Sequence, residues 1–188
     1  MKIILTESQF KRILIETELI DNGTYIFHNG NKKSNNFTLI YGGYPSQSYG
    51  AKFMKNEIID QLMDKNIIFS NYENSVDFLL KKLNEKYDNG IIKNVIGFSR
   101  GGLNAYNAIG KYNFIGLIDP SLPPKIDSSK DFNNVFMIFN PKNWSEKYRS
   151  ITESQKNLNK ILGNNSKLIE ITHTDMVKKF IGMYKNKF

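Results

Sequence analysis

The chain has 188 residues, the length of one ordinary domain, and its 40% hydrophobic and 13% aromatic content supports a sizeable core and excludes disorder. The absence of cysteine excludes thiol catalysis, disulfides and thiolate metal sites, and fits a reducing, cytoplasmic setting. The net charge of +8 is spread over scattered lysines without interleaved aromatics, so it reads as solvated surface and not as a specific nucleic-acid platform.

Thr6-Glu7-Ser8-Gln9 fits a capping box, and Phe10, Ile13 and Leu14 continue it as a helical stripe. Residues 1–22 are therefore expected to form an amphipathic helix, to about Glu18, and a linker, with residues 23–188 as the main domain. Met1–Leu5 lack the apolar core of a signal peptide, and no run reaches transmembrane length. Thr24–Phe27 and Phe37–Tyr41 read as strands around a polar turn, which suggests an antiparallel pair.

Met54, Ile58, Ile59, Leu62 and Met63 follow helical spacing, and Ile67-Ile68-Phe69 is a short strand. Val76, Leu79, Leu80, Leu83 and Tyr87 mark a helix ending near Gly90. Ile91–Ile96 is a β-branched strand, and Leu103, Tyr106 and Ile109 mark the next helix. Strands follow at Phe114–Ile118, Val135–Phe139 and Leu168–Thr172, with a helix over roughly Trp144 to Leu162 that contains a second Thr-Glu-Ser-Gln. Met176, Phe180 and Tyr184, with Val177 and Ile181 beside them, form the stripe of a last helix. This alternation predicts an α/β fold, a mostly parallel sheet flanked by helices on both faces. Function in such sheets gathers at the carboxyl ends of the strands.

Between the Ile91–Ile96 strand and its helix stands Gly97-Phe98-Ser99-Arg100-Gly101. Strand, G-x-S-x-G and helix together describe a nucleophile elbow, whose tight turn favours glycine two residues either side of the serine. Ser99 is thus the candidate nucleophile, and it needs an imidazole to take its proton. Of the 2 histidines, His173 follows the last strand and is preferred over His28. Asp119, ending the strand after the elbow helix, is the candidate orienting acid; Glu146 and Asp131 are rivals, and Asp175 reads as a helix N-terminal residue. Gly42-Gly43-Tyr44 follows an apolar strand, where the amide of Gly43 or Tyr44 would join that of Arg100 as an oxyanion hole.

The order of glycine-rich strand end, elbow, acid and late histidine resembles the α/β-hydrolase superfamily, from about Gly23 to the C-terminus. The resemblance implies a compact three-layer hydrolase domain, with Ser99 as nucleophile, His173 as general base, Asp119 as acid, and Gly43, Tyr44 and Arg100 around the oxyanion. One departure stands out. Many members carry the acid one strand later, where this chain has Asn140 and Asn143.

The expected activity is hydrolysis of a small-molecule carboxylic ester or thioester through an acyl-enzyme. No cofactor is implied, and the two histidines show no metal-ligand spacing. The alternatives are a serine peptidase, or an inert hydrolase-fold module binding an anionic partner. The stretch from Pro120 to Val135 reads equally as a small lid or a plain connection.

Overall fold

Parallel strands buried on both faces have near-continuous apolar sequences, and this chain supplies several. The computed structural model describes residues 18–21, 23–29, 35–43, 49–87 and 89–188. In chain order these form β1 (Glu18–Asp21), β2 (Thr24–Phe27), β3 (Asn36–Tyr41), α1 (Tyr49–Ile58), β4 (Ile67–Ser70), α2 (Val76–Asn84) and β5 (Ile91–Phe98). Then come α3 (Gly101–Asn107), β6 (Phe114–Ile118), β7 (Val135–Phe139), α4 (Arg149–Leu162), β8 (Ser166–Leu168) and α5 (Asp175–Tyr184). The strands make one 8-stranded sheet in the order β1-β2-β4-β3-β5-β6-β7-β8. From β4 to β8 every pairing is parallel, whereas β2 runs antiparallel to both β1 and β4.

Alternation along each strand sends side chains to two cores. Leu39, Tyr41, Ile68, Val95, Leu117 and Met137 point to one face, covered by Leu79 and Leu83 of α2, Tyr106 of α3, and Leu158 and Leu162 of α4. Ile40, Phe69, Ile96, Ile118 and Ile138 point to the other, covered by Met54 and Ile58 of α1 and by Met176, Phe180 and Ile181 of α5. The stripe read for the last helix is thus its buried face. Helices lie on both sides of a mostly parallel sheet, as the alternation predicts.

Three local readings need correction. β2 and β3 do not pair with each other, because β4 lies between them. The five residues Phe37–Tyr41 are all buried, so β3 takes an interior position with parallel neighbours on both sides. The final strand is also earlier and shorter than Leu168–Thr172. It is Ser166–Leu168, after which the Ile171 amide donates to the Ile169 carbonyl at 3.0 Å in a γ-turn. Finally, the helix expected over roughly Trp144 to Leu162 starts later, since α4 begins at Arg149, with the second Thr-Glu-Ser-Gln inside it as read. The expected N-terminal helix lies outside the described residues, apart from Glu18, which begins β1.

Parallel register brings the carboxyl ends of the strands to one edge. Tyr41 is level with Gly97, Phe98 with Ile118, Ile118 with Ile138, and Phe139 with Leu168. Residues directly after β3, β5, β6 and β7 therefore become neighbours despite their distance in sequence.

Candidate active site

Ser99 is the first residue after β5 and has φ +54°, in the left-handed region that L residues rarely occupy. The next turn enforces it. A Cβ on Gly97 would lie 2.2 Å from the Gly101 carbonyl oxygen, and one on Gly101 would lie 2.7 Å from Cβ of Tyr41. Any larger residue at either place pushes β5, α3 and β3 apart. The Ser99 amide donates to the Ile118 carbonyl at 3.0 Å, and its carbonyl accepts from the amides of Gly102 at 3.0 Å and Ser121 at 2.7 Å. Strain of about 1–3 kcal/mol at such a φ persists only when surrounding bonds over-determine it, as these do.

Gly43 comes up against the serine from β3. A Cβ on it would meet Ser99 Cβ at 2.5 Å and Ser99 Oγ at 3.1 Å. Only a bare backbone fits there. The Gly43 side of the expected oxyanion region is thus beside the serine, while Tyr44 lies outside the described residues. Arg100 follows the serine directly, and its Nη1 donates to Tyr72 Oη at 3.3 Å.

Asp119 ends β6 as Ser99 ends β5, with φ +39° and no exposed surface. Its carboxylate gathers five hydrogen bonds. Oδ1 accepts from the Asn140 amide, Trp144 Nε1 and Gln155 Nε2, each at 3.2 Å. Oδ2 accepts from Asn143 Nδ2 at 2.8 Å and lies 2.6 Å from His173 Nδ1. Burial pushes the carboxyl up, but the bonds from His173 and Asn143, the His173 charge and the Asn140 amide outweigh it and hold Asp119 below its ordinary value. The amides that replace a carboxylate after β7 serve here as donors to the carboxylate on β6. A second acid at that place would repel the first.

His173 stands in the turn between β8 and α5, packed against Phe98 with ring centroids 4.6 Å apart and edge-on to Trp144 at 5.5 Å. With Nδ1 on Asp119, its Nε2 is left for the cavity side. Ser99, Arg100, Ser121, Asn143, Trp144, Ser145, Tyr148, Ile151 and His173 enclose a cavity of about 570 Å³. That is within the usual range for small-molecule sites, about 300–1,000 Å³. The Ser99 hydroxyl makes no hydrogen bond to the ring among the described contacts; such bonds are often long before substrate binds.

The other candidates lie elsewhere. His28 follows the antiparallel β2 and so sits at the opposite edge of the sheet, stacked on Tyr87 at 4.9 Å. Asp131 is exposed and caps its own turn through the Asn133 amide, and Glu146 is exposed on a short 3-10 turn. Asp175 accepts from the Thr172 hydroxyl at the start of α5. Of the segment after Asp119, Ser121 borders the cavity, Leu122 is in the core, Pro123 accepts from Ser154, and Asp127 donates its amide to Tyr106. It is strapped to α3 and α4 as a connection.

Sequence reasoning missed the residues that hold Asp119. Gln155 carried a signal: it occupies the buried stripe of α4 with Leu158 and Leu162, where an apolar residue is expected. A fully buried amide on such a stripe needs a polar partner. Asn143 was marked only as standing where many hydrolases carry the acid, and Trp144 carried no signal, both being placed by short 3-10 turns after β7.

No protein-family model and no curated protein sequence matches the chain. Among solved structures, it is similar to the esterase Pf2001 of Pyrococcus furiosus, with 16% identity and a TM-score of 0.53 over 87% of this chain and 83% of that one. It is similar also to a protein described as a CIB-like hydrolase from Thermoplasma acidophilum, with 14% identity and a TM-score of 0.56 over 92% of this chain and 98% of that one. The fold is thus α/β-hydrolase-like. No helix among the described residues is long and apolar enough to cross a membrane.

Proposed function

We propose that the protein is a serine hydrolase of small carboxylic esters or thioesters. The observation that carries this reading is the 2.6 Å contact between Asp119 and His173, 54 residues apart in sequence, with the ring on the same cavity as Ser99. A buried, multiply bonded aspartate aimed at an imidazole beside an elbow serine has a direct chemical use. The esterase among the structural neighbours is in keeping with it.

In this reading Ser99 Oγ attacks the acyl carbonyl as His173 Nε2 takes its proton. Asp119 holds the Nδ1–H tautomer and stabilises the imidazolium. The carbonyl oxygen becomes an oxyanion facing the amides of Arg100 and Gly43. The leaving alcohol or thiol departs with the proton from Nε2, and water, activated by the same ring, releases the acid and regenerates Ser99. The cavity offers the acyl group an apolar wall of Trp144, Tyr148 and Ile151.

A fluorophosphonate probe tests the reading, with the adduct located by peptide mass spectrometry. Labelling is expected at Ser99 alone and is lost in Ser99→Ala and His173→Ala. A folded, unlabelled wild-type protein that also turns over no ester or thioester overturns it.

A further inference from the structure

Trp144 is the single tryptophan of the chain and belongs to two structures at once. Its indole N–H donates to Asp119 Oδ1 at 3.2 Å, and its ring meets the His173 ring edge-on at 79°. The same residue walls the cavity beside Tyr148, whose ring lies 5.7 Å away. An indole N–H is donor only, and a carboxylate oxygen acceptor only, so this bond has one sense. Asn143 repeats the arrangement, lining the cavity and donating to Asp119 Oδ2. The wall a ligand would touch is therefore also the clamp on the acid.

We infer that Trp144 is a positioning residue whose N–H fixes the rotation of the Asp119 carboxylate while its ring forms the substrate-side wall. Ligand packed on the indole thereby bears on the group that steers His173. The catalytic consequence rests on the serine-hydrolase reading; the hydrogen bond does not. The charged and titratable groups around His173 are Asp119 from β6, Arg100 from the turn after β5 and Tyr148 across the cavity. On its own segment Asp175 is held by Thr172, and Glu170 pairs with Lys142 at the surface.

Trp144→Phe keeps a smaller aromatic ring on the cavity and removes the donor. Asp119 then keeps more of its negative charge and holds the imidazolium more firmly. The acid limb of the Ser99 labelling-rate profile is expected to move to higher pH by about half a unit. The plateau rate is expected to fall about tenfold as the carboxylate loses its fixed rotation. The Nδ1 proton resonance of His173, read by NMR without turnover, is expected to move downfield. Trp144→Ala in addition raises the probe concentration needed for half-maximal rate, because the wall is gone.

A role confined to packing predicts the opposite pattern. Trp144→Phe would then keep the wild-type pH profile and an unmoved Nδ1 resonance, which overturns the inference. If the folded wild type is not labelled and turns over no ester or thioester, the hydrolase reading falls and the NMR comparison alone decides for Trp144: a downfield shift supports the clamp, an unmoved resonance refutes it.

Discussion

Replacing Asp119 by asparagine sets a shape-identical amide into a shell built wholly of donors. Three of them converge on Oδ1, from the Asn140 amide, the Trp144 indole and the Gln155 amide nitrogen. The first two can only donate, so the single carbonyl of the new amide is drawn to that side. Its NH2 then faces Asn143 and His173. Asn143 cannot simply turn over, because its Nδ2 also donates to the Ile171 carbonyl and its Oδ1 accepts from Asn140. His173 must therefore present an unprotonated Nδ1 and carry its proton on Nε2, the tautomer that cannot receive one from Ser99. The same tautomer error in a serine triad costs about 10⁴ in rate, or about 5.5 kcal/mol.

The effect on stability is expected to be far smaller. The bond from Asn143 is lost, at about 1.5–3 kcal/mol for a bond to a charged group, and the others become neutral, while the cost of burying a charge, several kcal/mol, disappears with it. These oppose, so urea melts at pH 7 are expected to agree within about 2 kcal/mol. They diverge in acid. Asp119 titrates below its ordinary value in the fold, so its contribution is full above the unfolded value of about 3.9 and is lost as pH falls through the lower folded one. Asp119→Asn is expected to lose that part of the acid dependence. The assay is the second-order fluorophosphonate labelling rate beside the melts. A folded Asp119→Asn protein that labels within tenfold of wild type refutes the reasoning and makes the buried carboxylate a structural group.

The remaining predictions concern the glycines and Gln155. Gly97→Ala places a Cβ 2.2 Å from the Gly101 carbonyl oxygen, inside a turn that has no slack. It is expected to lower stability by about 3 kcal/mol or to abolish folding, seen in expression and urea melts. Gly43→Ala drives a methyl toward Ser99 and displaces the amide offered to the oxyanion, so labelling is expected to slow about 10²–10³-fold while secondary structure is retained by circular dichroism. Gln155→Glu sets a second carboxyl against Asp119 in a site with no exposed surface. Its pKa is then raised in the fold, so destabilisation of about 3 kcal/mol is expected at pH 8 and a smaller one at pH 5, measured by urea melts at both.

The legible parts of this molecule are those governed by neighbours in sequence. The elbow could be read because Gly97 answers a clash with Gly101 four residues on, although the clash Gly101 answers is with Tyr41 of β3, and the helix at Asp175–Tyr184 because its stripe has its own period. Asp119 and His173 were reachable because a mostly parallel sheet sends every strand end to one edge, and few titratable residues follow strands. What only the tertiary structure decided is which strands are neighbours and which donors converge. β4 separates β2 from β3, and His28 falls at the far edge, because partner choice depends on burial across the whole sheet. The shell around Asp119 joins residues 21 to 54 positions away, and apart from His173 and the polar Gln155 on an apolar stripe, its members carry no local signature of meeting it. Steric rules act over a few bonds and are written in the chain, whereas satisfying a buried charge is settled only where separate segments meet.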